Sequence, residues 1–106
     1  MKVLNAFSIN MLERRGQRIE FVPIDLAAAR NLCRNEPIES YVGHAYTALI
    51  LSTMLNATIP MNRVNYEIAL GDVVLVAQFT GTRLPEAATA LPEGATIEFW
   101  QCRLLD

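Results

Sequence analysis

The sequence predicts a single small α/β domain, a mixed sheet of five to six strands with two main helices packed on it. Three observations lead there. Short apolar runs of strand length, bounded by Gly, Pro and Asn, alternate with two stretches of helical spacing. The chain has 106 residues, of which 52% are apolar and 19% charged, a globular balance with no case for disorder. No internal repeat or low-complexity tract divides it, so 1–106 reads as one domain.

Lys2 to Ala6 is a short apolar run suited to a first buried strand, and it delivers Asn5, Ser8 and Asn10 at its end. After a turn ending at Gly16, Arg18 to Val22 alternates polar with apolar before Pro23, as a strand near a sheet edge does. Asp25 then caps a helix running through Arg34, with Leu26, Ala29, Leu32 and Cys33 at helical spacing and Pro37 closing it. Ile38 to Val42 is a short extended stretch. Gly43 is expected to allow a tight change of direction into a second helix, Ala45 to Asn56, apolar on most sides through Tyr46, Leu49, Ile50 and Met54 and therefore packed on the sheet.

Asn62 to Leu70 and Asp72 to Phe79 are strand-like runs separated by Gly71, which predicts a β-hairpin. The stretch 81–94, with Pro85, Pro92 and two glycines, is expected to be a mobile lid loop, because a long loop without a core of its own is usually functional or mobile. Ile97 to Leu104 closes the sheet, its Phe99 and Trp100 large enough to serve the core or a subunit contact.

A formal charge of −2 argues against a general DNA or RNA binder, while leaving room for a specific phosphate pocket. Arg14, Arg15 and Arg18 are interleaved with Glu13 and Glu20 and read as a solvated turn. Cys33 and Cys102 lack metal-ligand spacing and read as small buried hydrophobes in a reducing compartment. No apolar run approaches membrane-spanning length and no signal segment opens the chain, so no membrane partner and a cytoplasmic location are expected.

Several strand and helix ends carry polar groups that a packed core would not require. Asn5, Ser8 and Asn10 follow the first strand, His44 and Thr47 lie at a helix start, Arg63 enters a later strand, Gln78 ends another, and Arg83 and Glu86 sit on the long loop. Each has a bland explanation as turn former, back-bonded hydroxyl or solvated charge. As a set they suit a phosphodiester whose bases and sugars also need hydrogen bonds, since guanidinium forks pair phosphate and amides read base edges. His44 is the only histidine, and no Cys pair or acidic cluster has metal spacing, so neither a metal nor another cofactor is expected.

Asn5-Ala6-Phe7-Ser8-Ile9-Asn10-Met11-Leu12, then Gly43-His44 with Thr47, then Asn62-Arg63-Val64, then Gln78 and Arg83-Leu84-x-Glu86 resemble the viral ring nucleases of the type III anti-CRISPR family. That family also has CRISPR-associated cellular members, and the resemblance runs in order over nearly the whole chain. It implies a homodimer that binds cyclic tetra-adenylate, the second messenger of type III CRISPR defence, in a pocket on the two-fold axis. It further implies metal-independent cleavage to linear adenylates with 2′,3′-cyclic phosphate ends, which switches the immune response off. In that scheme His44 is the general acid for the leaving 5′ oxygen, Glu86 holds or tunes His44, and Arg83 grips phosphate. Asn5, Ser8, Asn10, Thr47, Arg63 and Gln78 position the ring. Tyr46 departs from the small hydroxyl residue expected beside Thr47, and the stretch from Gln78 to Arg83 is one residue longer than in some archaeal viral members. The rival expectations are a non-catalytic module that sequesters a cyclic nucleotide, and a small structural or regulatory dimer.

Overall fold

A computed structural model describes residues 1–13, 16–81 and 94–106. In chain order the elements are β1 (Lys2–Leu4), a 3₁₀ turn (Ile9–Met11), β2 (Ile19–Ile24), α1 (Leu26–Asn35), β3 (Glu39–Ser40), α2 (Ala45–Leu55), β4 (Val74–Thr80) and β5 (Thr96–Leu104). The five strands form one sheet in the order β2-β5-β4-β1-β3. β1 pairs in parallel with both β3 and β4, whereas β5 runs antiparallel to β4 and β2. The expected α/β class, with a mixed sheet and two helices, is what the structure shows.

The apolar pattern explains the layering. Alternate residues of the central strands go to opposite faces. Val3, Leu75, Ala77 and Phe99 meet Ala29, Ala48, Leu51 and Leu55 of the two helices. Leu4, Val74, Val76 and Cys102 face the other way and are covered by Tyr66 and Ile68, with Phe7, Met11 and Leu12 packed around them. Strands buried on both faces read as continuous apolar runs, which is why Val74 to Ala77 shows no polar alternation.

Helix ends follow their local chemistry. The Asp25 carboxylate accepts from the Ala28 amide at 2.7 Å and starts α1, and Pro37 follows its end. α2 stops at Asn56, whose backbone is left-handed at φ 52°. Arg30 reaches across from α1 and donates through Nε to the Met54 carbonyl at 2.7 Å, satisfying one of the carbonyls that a helix end leaves open.

Pro23 lies inside β2, opposite Trp100. The Leu105 amide donates to the Arg18 carbonyl, so by strand alternation the hydrogen-bonded pairs fall at Arg18, Glu20, Val22 and Ile24. Pro23 occupies a position whose amide would point away from β5. Its missing N–H costs the ladder nothing and blunts the open edge.

Two sequence expectations are corrected. Asn62 to Leu70 is not a strand: β4 already has β1 on one side and β5 on the other, leaving no edge for a hairpin partner. The 62–69 segment instead crosses the face opposite the helices, with Tyr66 and Ile68 buried and the Ile68 amide donating to the Met11 carbonyl. Gly43 is not among the positive-φ glycines, so it is not needed for a left-handed turn. α2 packs on the sheet through Ala48, Leu51 and Leu55, and leaves Tyr46 39% and Leu49 54% exposed. Arg18 is exposed beside the edge strand β2, in line with the expected solvated turn, and its guanidinium forms a surface ion pair with Asp106. The expected lid, 81–94, falls almost wholly outside the described residues, as do Arg14 and Arg15.

Both cysteines are free thiols; Cys102 is buried and Cys33 half-buried. No helix among the described residues is long and apolar enough to cross a membrane. Burial pushes the Cys102 thiol up to about 11 from an ordinary 9.0. The folded chain therefore holds this proton more tightly than the unfolded chain does. The stability it contributes is complete below pH 9 and is lost as pH rises to about 11. Denaturant titrations are expected to show unfolding free energy falling over that window, with a shallower fall in Cys102→Ala.

Candidate functional site

Because β1, β3 and β4 are mutually parallel, their C-terminal ends share one edge of the sheet. Asn5 follows β1 there, Tyr41 to Gly43 follow β3, and Gln78 lies two residues beyond Val76, the partner of Leu4. α2 starts from the same edge and begins the crossover between β3 and β4. Strand ends and a helix start converging in this way form the ordinary ligand crevice of open α/β sheets.

A small polar lock fixes this corner. Ser40 is the one buried polar side chain among the described residues, at 5% exposure, and its Oγ accepts from the Val42 amide at 3.2 Å. The Asn62 side-chain amide donates to the Ser40 carbonyl at 2.9 Å, while the Asn62 backbone amide donates to the Val42 carbonyl at 2.8 Å. A parallel bridge between Val42 and Met61 completes the contact. Arg63, the next residue along, lies against Gly43: a Cβ on that glycine would stand 3.6 Å from Arg63 Cγ. That distance is an ordinary van der Waals contact, so the corner would accept a Cβ at position 43.

His44 is the N-cap of α2. Its backbone is extended at φ −131°, its carbonyl accepts from the Ala48 amide at 3.0 Å, and its side chain makes no capping bond. The imidazole is exposed, and no side-chain cap occupies the open amides of the first turn. Those amides and the helix dipole favour an anion at this end.

The cations sort themselves sharply. Lys2 pairs with Glu39, Arg18 with Asp106 and Arg103 with Glu20. Arg30 is bound to the Met54 carbonyl and Arg34 to Asn31. Among the described residues Arg63 alone has neither an ion pair nor a side-chain hydrogen bond, and it stands beside the uncapped start of α2. An unpaired guanidinium, an unengaged imidazole and open helix amides together can bind a phosphodiester and hand it a proton.

The other sequence candidates are placed less uniformly. Asn5 is half-buried at the end of β1, and Thr47 is half-buried in the first turn of α2. Ser8 caps the 3₁₀ turn, its Oγ accepting from the Asn10 amide at 3.2 Å, and that turn packs through Met11 on the face opposite the helices. Gln78 is exposed on β4 and donates to the Phe79 carbonyl at 3.1 Å. Arg83 and Glu86 lie outside the described residues. The structure therefore brings Gly43, His44 and Arg63 together and sets Asn5, Thr47 and Gln78 on the same edge, while Ser8 and Asn10 share a local turn. Sequence reasoning missed Ser40 and Asn62 as the elements that assemble this corner. The single polar residue beside Tyr41-Val42 was the available signal.

Comparison with known proteins fits this architecture. Residues 1–98 match the STIV B116-like family. The chain belongs to the STIV B116-like family. Among solved structures, this B116-like chain is similar to "B116 of Sulfolobus turreted icosahedral virus (STIV)", with a TM-score of 0.77 and 23% identity over 96% of this chain and 97% of that one. The likeness extends to the whole fold of the viral protein. No curated protein sequence matches this B116-like chain.

The free state of the corner has an energetic consequence. Side chains with no partner in the folded protein contribute little to its stability, so Arg63→Ala and His44→Ala are expected to change unfolding free energy by no more than about 0.5 kcal/mol. Asp25→Ala, which removes a made cap, is expected to cost about 1 kcal/mol. Urea titrations of the three variants check this ordering.

Proposed function

We propose that this B116-like protein is a metal-independent ring nuclease that opens cyclic tetra-adenylate, the second messenger of type III CRISPR defence, and so ends the response. The observation that carries the reading is Arg63, its guanidinium unpaired and its Cγ against Gly43, beside the uncapped start of α2 and the exposed His44. Family membership and the ordered motifs from Asn5 to Glu86 support it.

In this reading a phosphate of the ring lies at the first-turn amides of α2, with Arg63 on its non-bridging oxygens. The neighbouring ribose 2′ oxygen attacks that phosphorus and loses its proton to water. The bond from phosphorus to the 5′ oxygen breaks, and the departing oxygen takes a proton from the His44 imidazolium. The product is a linear adenylate ending in a 2′,3′-cyclic phosphate. The nucleophile belongs to the substrate, so the chain's share of the work is orientation and proton delivery. Asn5, Ser8, Asn10, Thr47 and Gln78 hold bases and sugars, Arg83 grips phosphate, and Glu86 steadies the imidazole.

A four-nucleotide ring is large for the surface of one 106-residue domain, so the proposal places it between two copies of the chain. The exposed Tyr46 and Leu49 of α2 are apolar surface that a second copy can cover.

Purified protein incubated with labelled cyclic tetra-adenylate in EDTA is expected to yield linear products with cyclic phosphate ends. His44→Ala is expected to keep ring binding while its single-turnover rate falls by about 10²- to 10⁴-fold, the usual contribution of a general acid. An intact ring after long incubation with excess wild-type protein sinks the nuclease reading; a ring bound and uncut assigns the protein to sequestration.

A further inference from the structure

The corner that presents His44 and Arg63 is not held together by either residue. His44 follows β3 at the start of α2, and Arg63 comes from a coil beyond the end of that helix. Nothing in the local sequence dictates their separation. What joins the two segments is a pair of hydrogen bonds, Asn62 Nδ2 to the Ser40 carbonyl and the Asn62 amide to the Val42 carbonyl, while the Val42 amide donates to Ser40 Oγ within the β3 side of the seam. Val42 is fully buried and Ser40 nearly so, so the accepting side of this seam is sheltered from water.

We infer that Asn62, acting with Ser40, is a positioning residue for the proposed reaction: it sets where the Arg63 guanidinium stands relative to the Gly43-His44 helix start. The inference rests on the ring-nuclease reading for its functional half and on the geometry alone for its structural half.

Three features favour positioning over a merely structural role. Asn62 is itself exposed, so its side chain adds little buried apolar surface to the fold. Its amide spends its donor on a carbonyl 22 residues away, at the end of the strand that leads into α2. The residue it carries next in sequence is the one described cation without a partner. Orientation is steep in such reactions: a displacement of about 1 Å can cost on the order of 100-fold in rate. A two-point hold on Asn62, through its backbone and its side chain, restricts exactly the rotation that would swing Arg63 away from Gly43.

The test uses Asn62→Ala, and Asn62→Asp as a variant of the same shape without the donor. Two readouts are needed. Amide hydrogen exchange on the free protein is expected to show faster exchange confined to residues 42–44 and 62–63, with thermal midpoints near the wild type; unchanged exchange there, or a chain-wide loss of protection, overturns the lock. Single-turnover cleavage of cyclic tetra-adenylate at saturating protein is expected to fall about 10-fold in Asn62→Ala but no more than about 2-fold when the change is made on top of Arg63→Ala, the mark of one residue acting through another. Equal losses in both backgrounds overturn the positioning role. If wild-type protein leaves the ring intact, the nuclease reading fails and the positioning role falls with it, while the exchange data still decide whether the lock exists.

Discussion

The parallel pairing of β1 with two partners governs this molecule. Only three residues long, β1 is hydrogen-bonded on one side to β3 and on the other to β4, and Val3 and Leu4 are buried on opposite faces of the sheet. A strand in that position cannot shift by one residue without moving Leu4 into the helix layer and Val3 out of it. Its register therefore fixes where β3 ends, and the end of β3 fixes where α2 begins. The same pairing requires β3 and β4 to be joined by a crossover rather than a hairpin, which α2 begins on one face and the 62–69 segment completes on the other. Antiparallel β5 and β2 then extend the sheet on the far side of β4, away from that helix start.

The site follows from this arrangement. Three strand ends and a helix N-terminus open at a single edge, and the buried hydroxyl of Ser40 together with the Asn62 amide closes the seam between β3 and the chain returning from α2. Cations elsewhere in the described structure are spent on carboxylates or carbonyls. Here one is left unspent, beside a helix start whose capping residue uses its backbone but not its side chain. A protein gains little stability from such an arrangement, and the open amides of an exposed helix start are left to water or to an anion.

Much of the fold was legible because its signals are local. Asp25 and Pro37 bracket α1, Asn56 ends α2 and the alternation before Pro23 marks an edge strand. What was not legible depends on pairings between distant segments. Tyr66 and Ile68 alternate with exposed neighbours just as a half-buried strand does, and only the occupied edges of β4 reveal that no ladder is open to them. Tyr46 and Leu49 add to an apolar helix in the sequence, but the sheet lies on one side of that helix and leaves them exposed. Among site residues, His44 and Arg63 stand out by type. Their adjacency does not, because it is created by a bond from Asn62 to Ser40 across 22 positions. Ser8 is engaged locally: its oxygen accepts from the Asn10 amide, which leaves its hydroxyl proton to donate.

The central claim is that the edge formed by β1, β3 and the start of α2 receives a phosphodiester ring. It is tested most directly by titrating ¹⁵N-labelled protein with an uncleavable cyclic tetra-adenylate that lacks the 2′ hydroxyls and following the backbone amides. The account predicts that the largest shifts fall at Asn5, at Gly43 through Thr47 and at Asn62 and Arg63, and that they saturate together. Shifts confined to other surfaces, or a spectrum unchanged at saturating ring, would contradict it.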